Sequence, residues 1–152
     1  MWYAILGAVL LAGDQILKYW VVTHLAVGES APFLPGFMQL TRLHNYGAAW
    51  SSLSGRTVLL VVFTAVLLAA VALLLIKKVV RHWTGITACT LILSGGIGNI
   101  IDRIVHGYVV DMFDLQLFSY PVFNLADCCV VVGAILGGIY YLFLYEKYDK
   151  KK

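Results

Sequence analysis

From Thr57 to Ile76 the chain runs for twenty residues without a charge, an amide or a proline. A helix of about 20 apolar residues crosses the hydrocarbon core of a bilayer, where backbone polar groups have no water to bond and must be satisfied within the segment. This stretch therefore sets the solvent in which the chain folds. Three further apolar runs share its length, so spans are expected over about 2–22, 57–76, 83–105 and 125–145. Only 12% of the 152 residues are charged, against about 25% in soluble domains. The fold class expected is all-α integral membrane: four transmembrane helices in one domain over 1–152, with a small β-containing segment (about 23–56) between spans one and two. The net charge of +3 is too small and too localised for a nucleic-acid partner.

The Lys and Arg residues orient the bundle. Lys77, Lys78 and Arg81 lie in one connection, and Lys147, Lys150, Lys151 and Lys152 in the tail. Basic residues stay on the cytoplasmic side, so both termini are expected inside. The 23–56 segment and the His106–Phe123 connection are then extracytoplasmic.

The polar residues are few and grouped. The first span is broken by Asp14 and Lys18, four apart with the acid first, the better orientation for a helical ion pair. A cleavable signal peptide is the competing reading, but no basic stretch precedes the apolar one and the pattern resumes after Lys18. In the next segment Pro32, Pro35 and Gly36 break any helix, whereas FMQLTRL alternates as a strand would. HNYGAAW follows, with Asn45 and Gly47. Beside a membrane it is expected to join a small sheet over a site, with Trp50 at the interface. The second span reads as scaffold, and the SGGIG run of the third permits close helix approach. Cys89, Cys128 and Cys129 lack CxxC spacing and read as small core residues.

The densest group lies between Ser94 and Asp127, with four of the chain's eight acids: Asp102, Asp111, Asp114 and Asp127. One charge at a span centre costs about 2.5–3.5 kcal/mol. Helical spacing places Gly95, Asn99, Asp102 and Arg103 on one face, and Asn124 and Asp127 together at the start of the fourth span. Asp102, Asp111 and Asp127 compete for a catalytic pair, in which one carboxyl keeps a proton while the other acts as base on water. Asp111 and Asp127 stand at adjacent ends of antiparallel spans. Asp102, some two helical turns deeper and beside Arg103, is expected to orient its surroundings. Metal chemistry has little support: there is no HExxH, His24, His44, His82 and His106 are scattered, and only Asp111-x-x-Asp114 offers a Mg²⁺ pair. A metal-dependent lipid phosphotransferase using Asp102, Asp111 and Asp114 on Mg²⁺ and a proton-coupled transporter using the acids as a relay are the alternatives.

At these residues the chain resembles the type II signal peptidases, the lipoprotein signal peptidases of bacteria. DQILK, HNYGAAW, GGIGNIIDR, VVDM and FNLAD look like that family's five motifs in order, covering nearly the whole chain. The resemblance implies an aspartic endopeptidase of the cell membrane that cleaves diacylglyceryl-modified prolipoproteins before the modified cysteine, amid membrane lipids. It implies a dyad of Asp111 and Asp127, and substrate binding by Asn45, Gly95, Asn99, Arg103 and Asn124. Asp14, Lys18 and Asp102 would support the site. No metal or cofactor and a monomeric state are expected. Leu17, His44 and Met112 depart from the usual Thr or Ser, Arg, and Phe, and leave the dyad untouched.

Overall fold

Every membrane-spanning helix of this protein that meets another does so mainly through one of them. The computed structural model describes residues 1–47, 53 and 55–150. The helices are α1 (Trp2–His24), α2 (Thr57–Ile76), α3 (Trp83–His106) and α4 (Leu125–Ile139), the last continued by a π-helical turn at Tyr140–Leu144 and a short α5 at Tyr145–Tyr148. Four spans of sufficient length and apolarity result, the last running from Leu125 to Tyr148. Half of α3's apolar window is buried, against 11% for α2 and 17% for α1 and for the fourth span. α3 is therefore the hub, packed on α1, α2 and α4.

Its glycines make that packing possible. A Cβ on Gly95 would sit 2.3 Å from the carbonyl oxygen of Ala126, so α3 and α4 touch backbone to backbone there. Gly133 of α4 repeats the contact against the Ala88 carbonyl. By contrast α2 buries only Leu60 and Leu68, as suits a helix that is apolar all round and solvated by lipid. The three cysteines are free, Cys89 and Cys129 buried and Cys128 half-buried.

The sheet has the order β1 (Ser30–Leu34), β2 (Met38–Asn45), β3 (Val109–Leu115), all antiparallel. β2 matches the alternating FMQLTRL stretch. β3 corrects the expectation of a sheet confined to the segment between the first two spans, because it comes from the connection between α3 and α4. It also corrects the placement of Asp111, which lies on this strand and not on a helical extension above Asp102. The chain reverses at Gly107, whose φ of 81° is left-handed, a conformation open to glycine without a Cβ penalty. Asp102 Oδ2 then accepts the Val110 N–H at 3.0 Å and fixes the returning strand. One face of β3 buries Val110 and Met112 with Val21 of α1 and Leu25 just past its end; the other turns Val109 and Asp111 toward a cavity. Arg42 of β2 donates to the carbonyls of Val22 and Leu25 (3.0 and 2.9 Å), satisfying acceptors that a helix end leaves open. The expected interfacial Trp50, with Ala48 and Ala49 of HNYGAAW and the tail's Lys151 and Lys152, lies outside the described residues.

Candidate active site

Asn124 and Asp127 are three apart because they form a capping box. Asn124 is the N-cap of α4; its Oδ1 accepts the Asp127 N–H at 2.8 Å, and Asp127 Oδ2 accepts the Asn124 N–H at 3.2 Å. Such reciprocal bonds satisfy two of the N–H groups that open a helix. A third is met from another helix, Asp14 Oδ1 accepting the Ala126 N–H at 2.9 Å. The first turn of α4 is thus tied to α1, and the Asp127 carboxylate stands where the helix dipole favours negative charge.

Asparagine amides then distribute the two candidate carboxylates. Asn99 Nδ2 donates to Asp127 Oδ1 at 2.8 Å. Asn124 Nδ2 donates to Asp111 Oδ1 at 2.6 Å, and Asn45 Nδ2 to Asp111 Oδ2 at 3.0 Å. Lys18 Nζ decides which way Asn99 points: it can only donate, and the Asn99 Oδ1 it reaches at 3.0 Å turns the NH₂ group toward Asp127. The same oxygen accepts from Asn124 at 3.2 Å.

Beneath this layer lies a buried ionic cluster. Lys18 Nζ is 2.9 Å from Asp14 Oδ2 and 3.0 Å from Asp102 Oδ2, with all three side chains at most 4% exposed. The expected i,i+4 pair forms and gains a third member. Gln15, not singled out in the sequence, donates at 3.2 Å to Asp14 and to Asp102 and at 3.3 Å to the Gly98 carbonyl. Its signal was present: an amide inside a span, one helical turn before Lys18. Among the described residues every buried side-chain N and O atom has a hydrogen-bond partner.

Two expectations, those for Gly95 and Asn124, are corrected, and Asp102 and Arg103 find separate partners. Asp102 and Arg103 do not pair, since consecutive helical residues do not face each other. Arg103 donates to the Gly47 carbonyl at 2.7 Å and the Asn99 carbonyl at 3.3 Å, holding the strand-to-α2 connection. Gly95 lies in the α3–α4 contact and Gly96 lines the cavity in its place. Asn124 is fully buried and does not line the cavity; its amide reaches Asp111 instead.

The cavity has a volume of about 540 Å³. Asp111 and Asp127 lie in its wall with Asn45, Asn99 and Arg103, and the rest is mostly apolar, from Leu43, Val109, Val130, Val131 and the 120–123 stretch. Thr64 of α2 also lines it. Burial, then the neighbouring Asp127, pushes the Asp111 carboxyl up to about 7 against the bonds from Asn45 and Asn124. A carboxyl that keeps its proton near neutrality beside a second carboxylate can act as acid while its neighbour acts as base. Asp114 is three residues along the strand and so on its other face. It accepts from Gln39 at 2.7 Å and Thr41 at 3.1 Å, so the Asp111–Asp114 pair envisaged for Mg²⁺ does not converge. His44 stacks on Tyr108 with centroids 3.8 Å apart and accepts from Arg42 Nε at 3.2 Å.

Four spans, three of which line with the sheet a cavity that has two carboxylates in its wall, define the class, a multi-pass membrane enzyme equipped for acid–base hydrolysis. Residues 6–143 match the family model of signal peptidase (SPase) II. The chain is 41% identical to the lipoprotein signal peptidase of Enterococcus faecalis over 149 residues, 98% of this chain and 92% of the relative. It is 43% identical to that of Streptococcus pyogenes over 128 residues, 84% of each. Two solved structures, each described as a bacterial membrane enzyme, superpose with TM-scores of 0.88 and 0.85 at 32% and 33% identity. They cover 99% and 93% of this chain and 92% and 93% of theirs. This chain belongs to the signal peptidase II family.

Proposed function

We propose that the chain is a membrane aspartic endopeptidase that removes the signal peptide of prolipoproteins, cleaving before the diacylglyceryl-modified cysteine. The observation that carries the reading is the pair Asp111 and Asp127, each held by an asparagine amide in the wall of one cavity between membrane helices. Asp111, with its carboxyl raised to about 7, keeps the shared proton and polarises the scissile carbonyl. Asp127 takes the proton from the attacking water. Asn45, Asn99 and Arg103 bind substrate backbone at the wall, Asn124 positions the dyad, and Asp14, Lys18 and Asp102 hold the frame. The chain works as one membrane-embedded domain and as a monomer in contact with bilayer lipids.

Purified protein incubated with a lipidated precursor should release the signal peptide equally with and without a chelator. Cleavage that stops with chelator and returns with Mg²⁺ would move the reading to metal chemistry. Both termini are cytoplasmic and the site is near the outer face of the bacterial cell membrane, a reading supported by Lys77, Lys78 and Arg81 in one connection and Lys147 and Lys150 in the tail. A cysteine placed at Ser30 should label with an impermeant reagent in intact cells, and one at Lys78 should not. The reverse pattern would invert the topology.

A further inference from the structure

The sheet ends in an apolar tip that the peptidase reading does not use. Phe33, Leu34 and Phe37 around the β1–β2 turn are 50%, 44% and 44% exposed, and Leu117 and Phe118 of the following connection 61% and 59%. These two segments are one surface, because Gln116 N–H donates to the Phe37 carbonyl at 2.9 Å. Neither 31–40 nor 115–123 contains an acidic, basic or histidine residue. A contiguous exposed apolar patch of this kind marks contact with a protein or a membrane.

Two observations select the membrane. The patch is continuous with a membrane span: Phe118 packs edge-on against Tyr120 and Tyr120 against Phe123 (centroids 6.2 and 5.8 Å), and Phe123 is followed at once by Asn124, the cap of α4. The sheet's polar side chains also satisfy one another. Ser30, Thr41, Gln39 and Asp114 bond to one another in a row across the three strands. The sheet thus has an uncharged aromatic end beside the entry of a transmembrane helix.

We infer that the β1–β2 tip and the Leu117–Phe118 segment insert into the adjacent lipid leaflet as an interfacial anchor, holding the sheet flat beside the cavity. The occupant is the headgroup–acyl boundary of the bilayer itself, where apolar side chains on an otherwise polar element are buried.

The inference is tested in reconstituted vesicles of zwitterionic and anionic phospholipid, independently of cleavage. Nitroxides on single cysteines replacing Phe37, Phe118 or Ser30, with the three native cysteines changed to alanine, report collisions with oxygen and with a water-soluble nickel complex. Labels at 37 and 118 should favour oxygen over nickel several-fold more than the label at 30. Should the cysteine-free background fail to fold, Phe37→Trp in the native-cysteine protein gives a second readout. Its added emission should be quenched by lipids brominated on the acyl chain and not by iodide. Nickel contact at 37 and 118 equal to that at 30, or iodide quenching of the new tryptophan, overturns the anchor. Loss of both collision partners that deepens with protein-to-lipid ratio overturns it too, in favour of a second copy of this chain.

Discussion

Asp111 and Asp149 are both carboxylates outside the spans, at opposite ends of the bundle, and their surroundings drive them in opposite directions. Asp149 is partly buried, which alone would raise it. The Tyr140 hydroxyl at 2.5 Å and the N–H groups of Arg81 and His82 at 3.0 and 3.1 Å instead hold it below the ordinary carboxylate range. Three donors and no rival acid make it a latch between the tail and the start of α3. Asp111 is buried, bonded among the described residues by neutral amides, and shares its surroundings with Asp127, so it rises to about 7. The difference separates a carboxylate that holds helices together from one placed to exchange a proton, and it can be tested from both sides.

The largest effect is expected at the dyad. Asp111→Asn and Asp127→Asn should each lower kcat by about 10²–10⁴-fold, the usual worth of positioned acid–base groups, while Asp114→Asn leaves cleavage of a lipidated precursor intact. The parent's rate should fall above about pH 7 as the proton on Asp111 is lost. The stability contribution of that proton runs the same way with pH. A carboxyl raised in the folded state favours folding while protonated, and that contribution is lost as pH rises from roughly 4 to about 7. Asp111→Asn should therefore melt no lower than the parent at pH 8. An active Asp111→Asn protein, or one that unfolds at pH 8, would reduce Asp111 to a second latch.

Next in size is Lys18→Met. It leaves Asp14 and Asp102 buried without their cation, and breaking a buried ion pair costs about 3–5 kcal/mol. Melting in detergent should fall sharply, with part of the loss recovered in Lys18→Met/Asp102→Asn. An unchanged melt would mean that the frame under the dyad is no more demanding than the exposed end.

Arg103→Lys should keep most of the stability and lose activity. Lysine keeps the charge but not the planar fork that reaches Gly47 and Asn99. Losing a charge-assisted hydrogen bond costs about 1.5–3 kcal/mol, or roughly a 10–150-fold fall in kcat/KM. Near-normal turnover would show that the fork only closes the connection.

The sequence made these groups visible unevenly, for physical reasons. Asp14, Lys18, Asn99 and Asp127 stood out because a polar group within a span is costly, and helical spacing alone told which of them could meet. The capping box at Asn124 was legible as a three-residue interval. Asp111 was found, but its strand was not: the reversal at Gly107 is fixed by Asp102 capturing the Val110 N–H, a contact that no periodicity announces. Adjacency in sequence is divergence on a helix, so Asp102 and Arg103 serve different partners, the Val110 N–H and the Gly47 carbonyl. Gln15 and the Asp149 latch were missed because each joins elements distant in sequence through groups that look ordinary locally.

The smallest effect is expected at that latch. Asp149→Asn keeps one acceptor oxygen, so one or two of the bonds from Tyr140, Arg81 and His82 survive, and the site is partly open to solvent. A net loss of about 0.5–1.5 kcal/mol is the scale for a hydrogen bond of this kind, read as a slight fall in the melting temperature in detergent. Cleavage should not change, because Asp149 touches nothing in the cavity wall. The pH signature is the discriminating part. A carboxylate depressed in the folded state contributes stability above its ordinary value of about 3.9 and loses it as pH falls, the reverse of Asp111. The gap between parent and Asp149→Asn should therefore be present at pH 7 and close toward pH 3. A gap that widened on acidification, or a cleavage defect at neutral pH, would mean that the far end of the bundle is coupled to the dyad and that the two carboxylates do not do separate jobs.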